Sequence, residues 1–100
     1  MINNEYPDED ELQKIQTWDY SDFKGLMEFI YEIWKYHEPN PGWCGWKQRS
    51  RKYWLHTGGW SGNEEIIGAM MNNNIFWMIC WVSNKRGGHY IFELPKEKNG

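Results

Sequence analysis

Between Phe23 and His37 the chain alternates with a helical period. Phe23, Leu26, Met27, Ile30, Ile33, Trp34 and His37 line one face, and Lys24, Glu28, Glu32 and Lys35 fall on the other. Ser21 or Asp22 can cap this helix, and Glu38-Pro39-Asn40-Pro41-Gly42 stops it, because each proline disfavours helix at the residue before it. Residues 11–18 offer a short preceding helix on Leu12, Ile15 and Trp18, and the polar, acidic stretch Met1 to Asp10 reads as a loosely held arm.

From Trp46 to Thr57 the period changes to two. Read as one strand, it sets Lys47, Arg49, Arg51, Tyr53 and Leu55 against Gln48, Ser50, Lys52, Trp54 and His56. Thr57-Gly58-Gly59-Trp60-Ser61-Gly62 then turns the chain, and Ser61-Gly62-Asn63-Glu64 fits a capping box opening a helix through about Asn72. Its buried stripe is Ile66, Ile67, Met70 and Met71, and Asn72 to Asn74 close it. Ile75 to Val82 is apolar on both faces and predicts a central strand. With His89 to Leu94 it forms a hairpin whose basic, glycine-containing tip is Ser83 to Gly88. The predicted architecture is a single small α+β domain in the order α-β-α-β-β, with an antiparallel sheet of about three strands packed by two helices.

Composition supports a folded domain. Of 100 residues 18% are aromatic, including eight Trp. Rings that bury on the order of 200 Å² each exclude intrinsic disorder despite a mean hydropathy of -0.88. No apolar run approaches the roughly 20 residues of a membrane span, and the acidic N-terminus is unlike a signal peptide, so a cytoplasmic protein without a membrane partner is expected. Two cysteines, Cys44 and Cys80, and three dispersed histidines give neither a disulfide framework nor metal-ligand spacing, so no metal or cofactor is expected. Net charge is -3, but residues 1–38 hold ten acids and three bases while residues 39–100 hold four acids and eight bases. The two halves carry -7 and +4. Either they cover one another in the fold or each presents its own field.

Chemistry concentrates between Arg49 and Glu65. A strand that delivers a glycine turn into a helix N-terminus offers backbone N–H groups to an anion, and Arg49, Arg51, Lys52 and His56 add charge. The spacing is neither the dinucleotide fingerprint nor the P-loop, and Glu64 and Glu65 already occupy the first helical turn. Trp43, Trp46, Trp54 and Trp60 interleave with the cations, which suits stacking of a base beside a bound phosphate. The candidate ligand-binding set is Arg49, Arg51, Lys52, Trp54, His56, Thr57, Gly58, Gly59, Trp60, Ser61 and Gly62, with Arg86 closing the site from the hairpin tip. Duplex nucleic acid is disfavoured by the acidic balance and the lack of a long basic stripe.

Trp54 to Ala69, W-L-H-T-G-G-W-S-G-N-E-E-I-I-G-A, and Phe76 to Glu93, F-W-M-I-C-W-V-S-N-K-R-G-G-H-Y-I-F-E, resemble a set of small bacteriophage-encoded proteins over about Arg51 to Glu93. The resemblance implies a phage accessory protein in the host bacterial cytoplasm and attaches no activity. Three readings follow. The first is a non-enzymatic inhibitor of host defence that holds a phosphorylated or nucleotide-like ligand. The second is a protein–protein inhibitor of a host factor, using the acidic N-terminal helix or exposed Trp residues. The third is a small hydrolase or nuclease built on Glu64, Glu65 and His56. A homo-oligomer is compatible with the aromatic content.

Overall fold

The computed structural model describes residues 7–34, 45–58 and 61–96. Within them lie four helices, α1 (Glu9–Gln16), α2 (Phe23–Ile33), α3 (Ser61–Asn72) and α4 (Asn74–Cys80), and four strands, β1 (Trp46–Arg49), β2 (Lys52–His56), β3 (Trp81–Lys85) and β4 (His89–Glu93). The fold is α+β with one antiparallel sheet in the order β1-β2-β4-β3. The chain order is therefore α-α-β-β-α-α-β-β rather than α-β-α-β-β.

Each added element has a local cause. Asp8 and Glu11 form a reciprocal capping box, Asp8 Oδ1 accepting from Glu11 N at 2.8 Å and Glu11 Oε1 from Asp8 N at 3.0 Å. This fixes the start of α1 inside the stretch read as a loose arm. Asp22 caps α2 through Gly25 N, 3.1 Å away. The helix ends at Ile33, while the Pro39–Gly42 stop and His37 lie outside the described residues.

The stretch read as one strand is a hairpin. Ser50 takes a left-handed φ of 58°, and the chain reverses so that Arg49 pairs with Lys52 and Trp46 with Leu55. A two-residue reversal preserves the alternation in the sequence but exchanges the faces. Lys47 and Arg49 consequently share a face with Lys52, Trp54 and His56, not with Tyr53 and Leu55.

The expected strand Ile75 to Val82 is mostly helix. A short run apolar on both faces does not distinguish a buried strand from a helix, and here Asn73 decides it. Its Oδ1 accepts from Phe76 N at 3.1 Å and caps α4. Its Nδ2 donates to Ile15 O at 3.0 Å, tying the end of α1 to the α3–α4 joint. The strand begins only at Trp81 and lies at the sheet edge, so β2 and β4 are central. α3 runs from Ser61 to Asn72 as the sequence predicts. Ser61, expected as the cap, is counted as the first residue of the helix, and residues 59 and 60 lie outside the described range.

All four helices contribute to a core with one face of the sheet. Ile15, Leu26, Met27, Ile30, Ile66, Met70, Phe76 and Phe92 are fully buried there. Trp34 is 2% exposed and its Nε1 donates to Gly45 O at 3.0 Å. Trp46 packs edge-on against Trp34, Tyr31 and Tyr53, and is core rather than ligand platform. Trp77 is partly buried and packs edge-on against Phe92, and Trp81 is 41% exposed at the edge strand. No helix of the described residues is long and apolar enough to cross a membrane.

Candidate functional site

The sheet face away from the helices is assembled by strand register. Lys47 lies across from Trp54, Arg49 from Lys52, Trp54 from Ile91, His56 from His89, and Lys85 from His89. In the alternating pattern Tyr53, Leu55 and Phe92 turn to the core, so these partners point the other way. Trp54 sits half-buried at the centre, with Lys47 Nζ 5.2 Å and Lys52 Nζ 5.5 Å from its ring centroid. The His56 and His89 rings lie 3.8 Å apart. Burial, and then the charge of His89, lower the His56 pKa below the usual histidine value. A concavity of about 420 Å³ opens here, lined by Trp54, His56, Lys85, His89 and Ile91 among others. That lies within the roughly 300–1,000 Å³ of small-molecule sites.

Both glycine stretches meet at this end. Thr57 N donates to Gly88 O at 3.0 Å, and Gly88 has φ 82° with Thr57 Oγ1 in the place of a Cβ. Thr57 O accepts from Asn63 Nδ2 at 3.2 Å, locking the first turn of α3 to the strand end. Thr57 is buried, so it builds the turn rather than presenting a ligand group. Gly58 is exposed with φ 66°, Gly62 is buried, and Ser61 is exposed. Gly59, Trp60 and Trp43 lie outside the described residues.

The expected cluster separates into two ends of one strand. Arg49, Arg51 and Lys52 lie at the β1–β2 turn, whereas Thr57 and the glycine turn follow the far end of β2, roughly 17 Å away at about 3.3 Å per residue. Arg51 is engaged locally. Its guanidinium donates to Leu94 O at 2.8 Å and lies 3.9 Å from Glu93 Oε2, so it neutralises the carboxylate of the open face. Among the described residues, Lys47, Arg49, Lys52 and Lys85 form no ion pair. The exposed carboxylates Glu28 and Glu32 sit on α2, on the covered side of the sheet, and leave these cations unscreened. Arg86 is exposed at the tip. The signals missed in the sequence were Lys47, Lys85 and His89, whose relevance depends on the hairpin register.

His56 projects away from the helices, while Glu64 and Glu65 are exposed on α3 on the other side of the sheet. The residues of the hydrolase reading are therefore not brought to one point. Cys80 is buried, and burial pushes its thiol up to about 12, leaving it protonated and unreactive. No group of three or more metal-ligating side chains is formed among the described residues. Comparison with protein-family models, curated proteins and solved structures finds no match to this chain.

Proposed function

We propose that the protein is a non-enzymatic binder of a phosphorylated, nucleotide-like ligand, with a base on Trp54 and phosphate drawn to the surrounding cations. The observation that carries this reading is the half-buried Trp54 ring flanked by Lys47 and Lys52 beside the His56–His89 concavity. Stacking a base on such a ring contributes about 1–3 kcal/mol. Displacing each lysine from it costs about 0.5–1 kcal/mol, offset when the ammonium meets phosphate instead. With the phage resemblance, the role is that of an accessory protein withholding such a ligand from host defence. A thermal-shift panel of linear and cyclic nucleotides tests it. A ligand at about 100 times its Kd adds about 2.7 kcal/mol, a rise of several degrees in Tm. That shift is lost in Trp54→Ala; a panel without any shift contradicts the reading.

A different observation favours a second reading. Ile75, Met78 and Ile79 on the outer face of α4, with Trp81 and Val82, are exposed, Met78 to 79%. No charged residue occurs from Asn74 to Asn84, so a second copy meets no like charge across a two-fold contact. Sedimentation as a dimer, reverting to 12.2 kDa in Met78→Lys, supports self-association through this face; a monomer at all concentrations removes it.

A further inference from the structure

Cations border the open face at both of its ends, which is more than one nucleotide needs. From Lys52 to His56 the central strand β2 spans about 13 Å at roughly 3.3 Å per residue. Arg49 and Lys52 stand at one end, Lys47 and Trp54 in the middle, and His56, His89 and Lys85 at the other. A mononucleotide in the concavity beside His56 leaves Arg49 and Lys52 on the far side of the tryptophan without a phosphate. A strand whose phosphates recur every 3.4 Å or more covers the distance with at most about four nucleotides.

The shape of the face selects among polyanions. Trp54 offers a flat aromatic surface with Ile91 beside it, and only an unpaired base exposes a ring face to it. A duplex keeps its base faces stacked internally, and this sheet face projects no helix toward a groove. An acidic polypeptide would satisfy the lysines and leave Trp54 without a partner. Glu93, the one carboxylate at this face among the described residues, is answered by Arg51, so the charge facing a ligand is positive over its full length.

We infer that the open sheet face holds a single-stranded nucleic acid of up to about four nucleotides, one base on Trp54 and phosphates on Arg49, Lys52, Lys47 and Lys85. This rests on the nucleotide-binding reading and extends it from a pocket to a track.

Fluorescence anisotropy of labelled oligothymidylates on the full chain, with thymidine monophosphate and a 20-base-pair duplex as competitors, tests it. The tetranucleotide is expected to bind at least ten-fold more tightly than the mononucleotide, with little further gain at eight, and the duplex at least ten-fold more weakly. For three or four phosphate contacts, log K should fall against log salt with a slope of about -2 to -3. The double variant Arg49→Ala/Lys52→Ala should bring the tetranucleotide down to the mononucleotide's affinity and flatten the slope by about 1.4. Arg49 is exposed and Lys52 half-buried, and an unchanged melting curve shows the variant folded; Lys85→Ala gives the corresponding loss from the other end. Equal affinity for mono- and tetranucleotide overturns the track and leaves the pocket reading standing. Absence of binding by any nucleotide overturns both. Equal binding of duplex, or equal competition by polyglutamate, overturns base stacking as the selector.

Discussion

Two concavities of nearly equal size lie on opposite sides of this sheet. One, about 400 Å³, is lined by Met27, Glu28, Tyr31, Glu32, Trp46, Gln48 and Tyr53, and the other, about 420 Å³, by Trp54, Leu55, His56, Lys85, His89, Tyr90 and Ile91. Volume does not separate them, but chemistry does. In the first the large rings are braced in the core, Trp46 against Trp34 and Tyr53, and the exposed charges are carboxylates. Burial, reinforced by Glu28, raises the Tyr53 pKa. In the second, Trp54 is flanked by the Lys47 and Lys52 ammonium groups, and Lys47 and Lys85 are exposed while Lys52 is half-buried. A larger concavity of about 630 Å³ is lined by Tyr20–Lys24 and Leu94–Lys96. The same residue types thus serve folding on one face and remain available to a ligand on the other.

That contrast breaks most severely at its covered side. Phe92 is fully buried against Phe76 and Trp77, so Phe92→Ala should cost about 3–5 kcal/mol. A fall in Tm of roughly 15 °C or more checks it; a Tm within 5 °C of the parent would mean the aromatic core is not what holds the sheet to the helices. At the hinge between the faces, Gly88→Ala combines a left-handed backbone with a collision against Thr57. It should cost about 2 kcal/mol or more in urea unfolding, and in thermal-shift assays it should also weaken nucleotide binding by disturbing the neighbouring His89. Asn73→Ala removes the α4 cap and the Nδ2 bond that ties Ile15 O to the α3–α4 joint, for about 1–3 kcal/mol measured by chemical denaturation. Trp54→Ala should do the reverse of Phe92→Ala, moving Tm by only a few degrees while reducing nucleotide affinity about ten-fold or more.

The smallest effect is on pH. His56 has its pKa lowered in the folded state, so the unfolded chain binds more protons as pH falls through the histidine range. Stability should therefore decline from about pH 6.5 downward through the lower folded value. His56→Asn should remove part of that slope in urea midpoints taken between pH 5 and 7.5. An unchanged slope would assign the acid sensitivity elsewhere.

Legibility in the sequence followed the same division. α2, α3 and β4 were readable because amphipathic spacing and turn residues act locally, whereas β3 overlaps the expected strand only at Trp81 and Val82 and otherwise occupies the expected hairpin tip. α4 was not readable, since Ile75 to Cys80 is apolar all round and its start is marked by Asn73, one of three consecutive asparagines, accepting from Phe76 N and Trp77 N. Of the candidate site, Arg49, Lys52, Trp54 and His56 were found from their interleaving. Their companions Lys47, Lys85 and His89 come from strand pairings, of which His56 with His89 spans 33 residues, and the Ser50 reversal that exchanges faces looks, in one dimension, like uninterrupted alternation. The segregation of acidic and basic halves was legible as an asymmetry. That the exposed carboxylates of α2 and the cations of β1 and β2 lie on opposite sides of the sheet required the topology.

The most direct test of a functional open face is the change in amide and tryptophan side-chain NMR shifts as oligothymidylate of four nucleotides is added to the full chain. The account predicts the largest changes at Lys47, Lys52 to His56 and His89 to Ile91, including the Trp54 indole, with Trp34 and Trp46 unmoved. Shifts concentrated on α1 and α2 or on the outer face of α4, or none at saturating oligonucleotide, would contradict it.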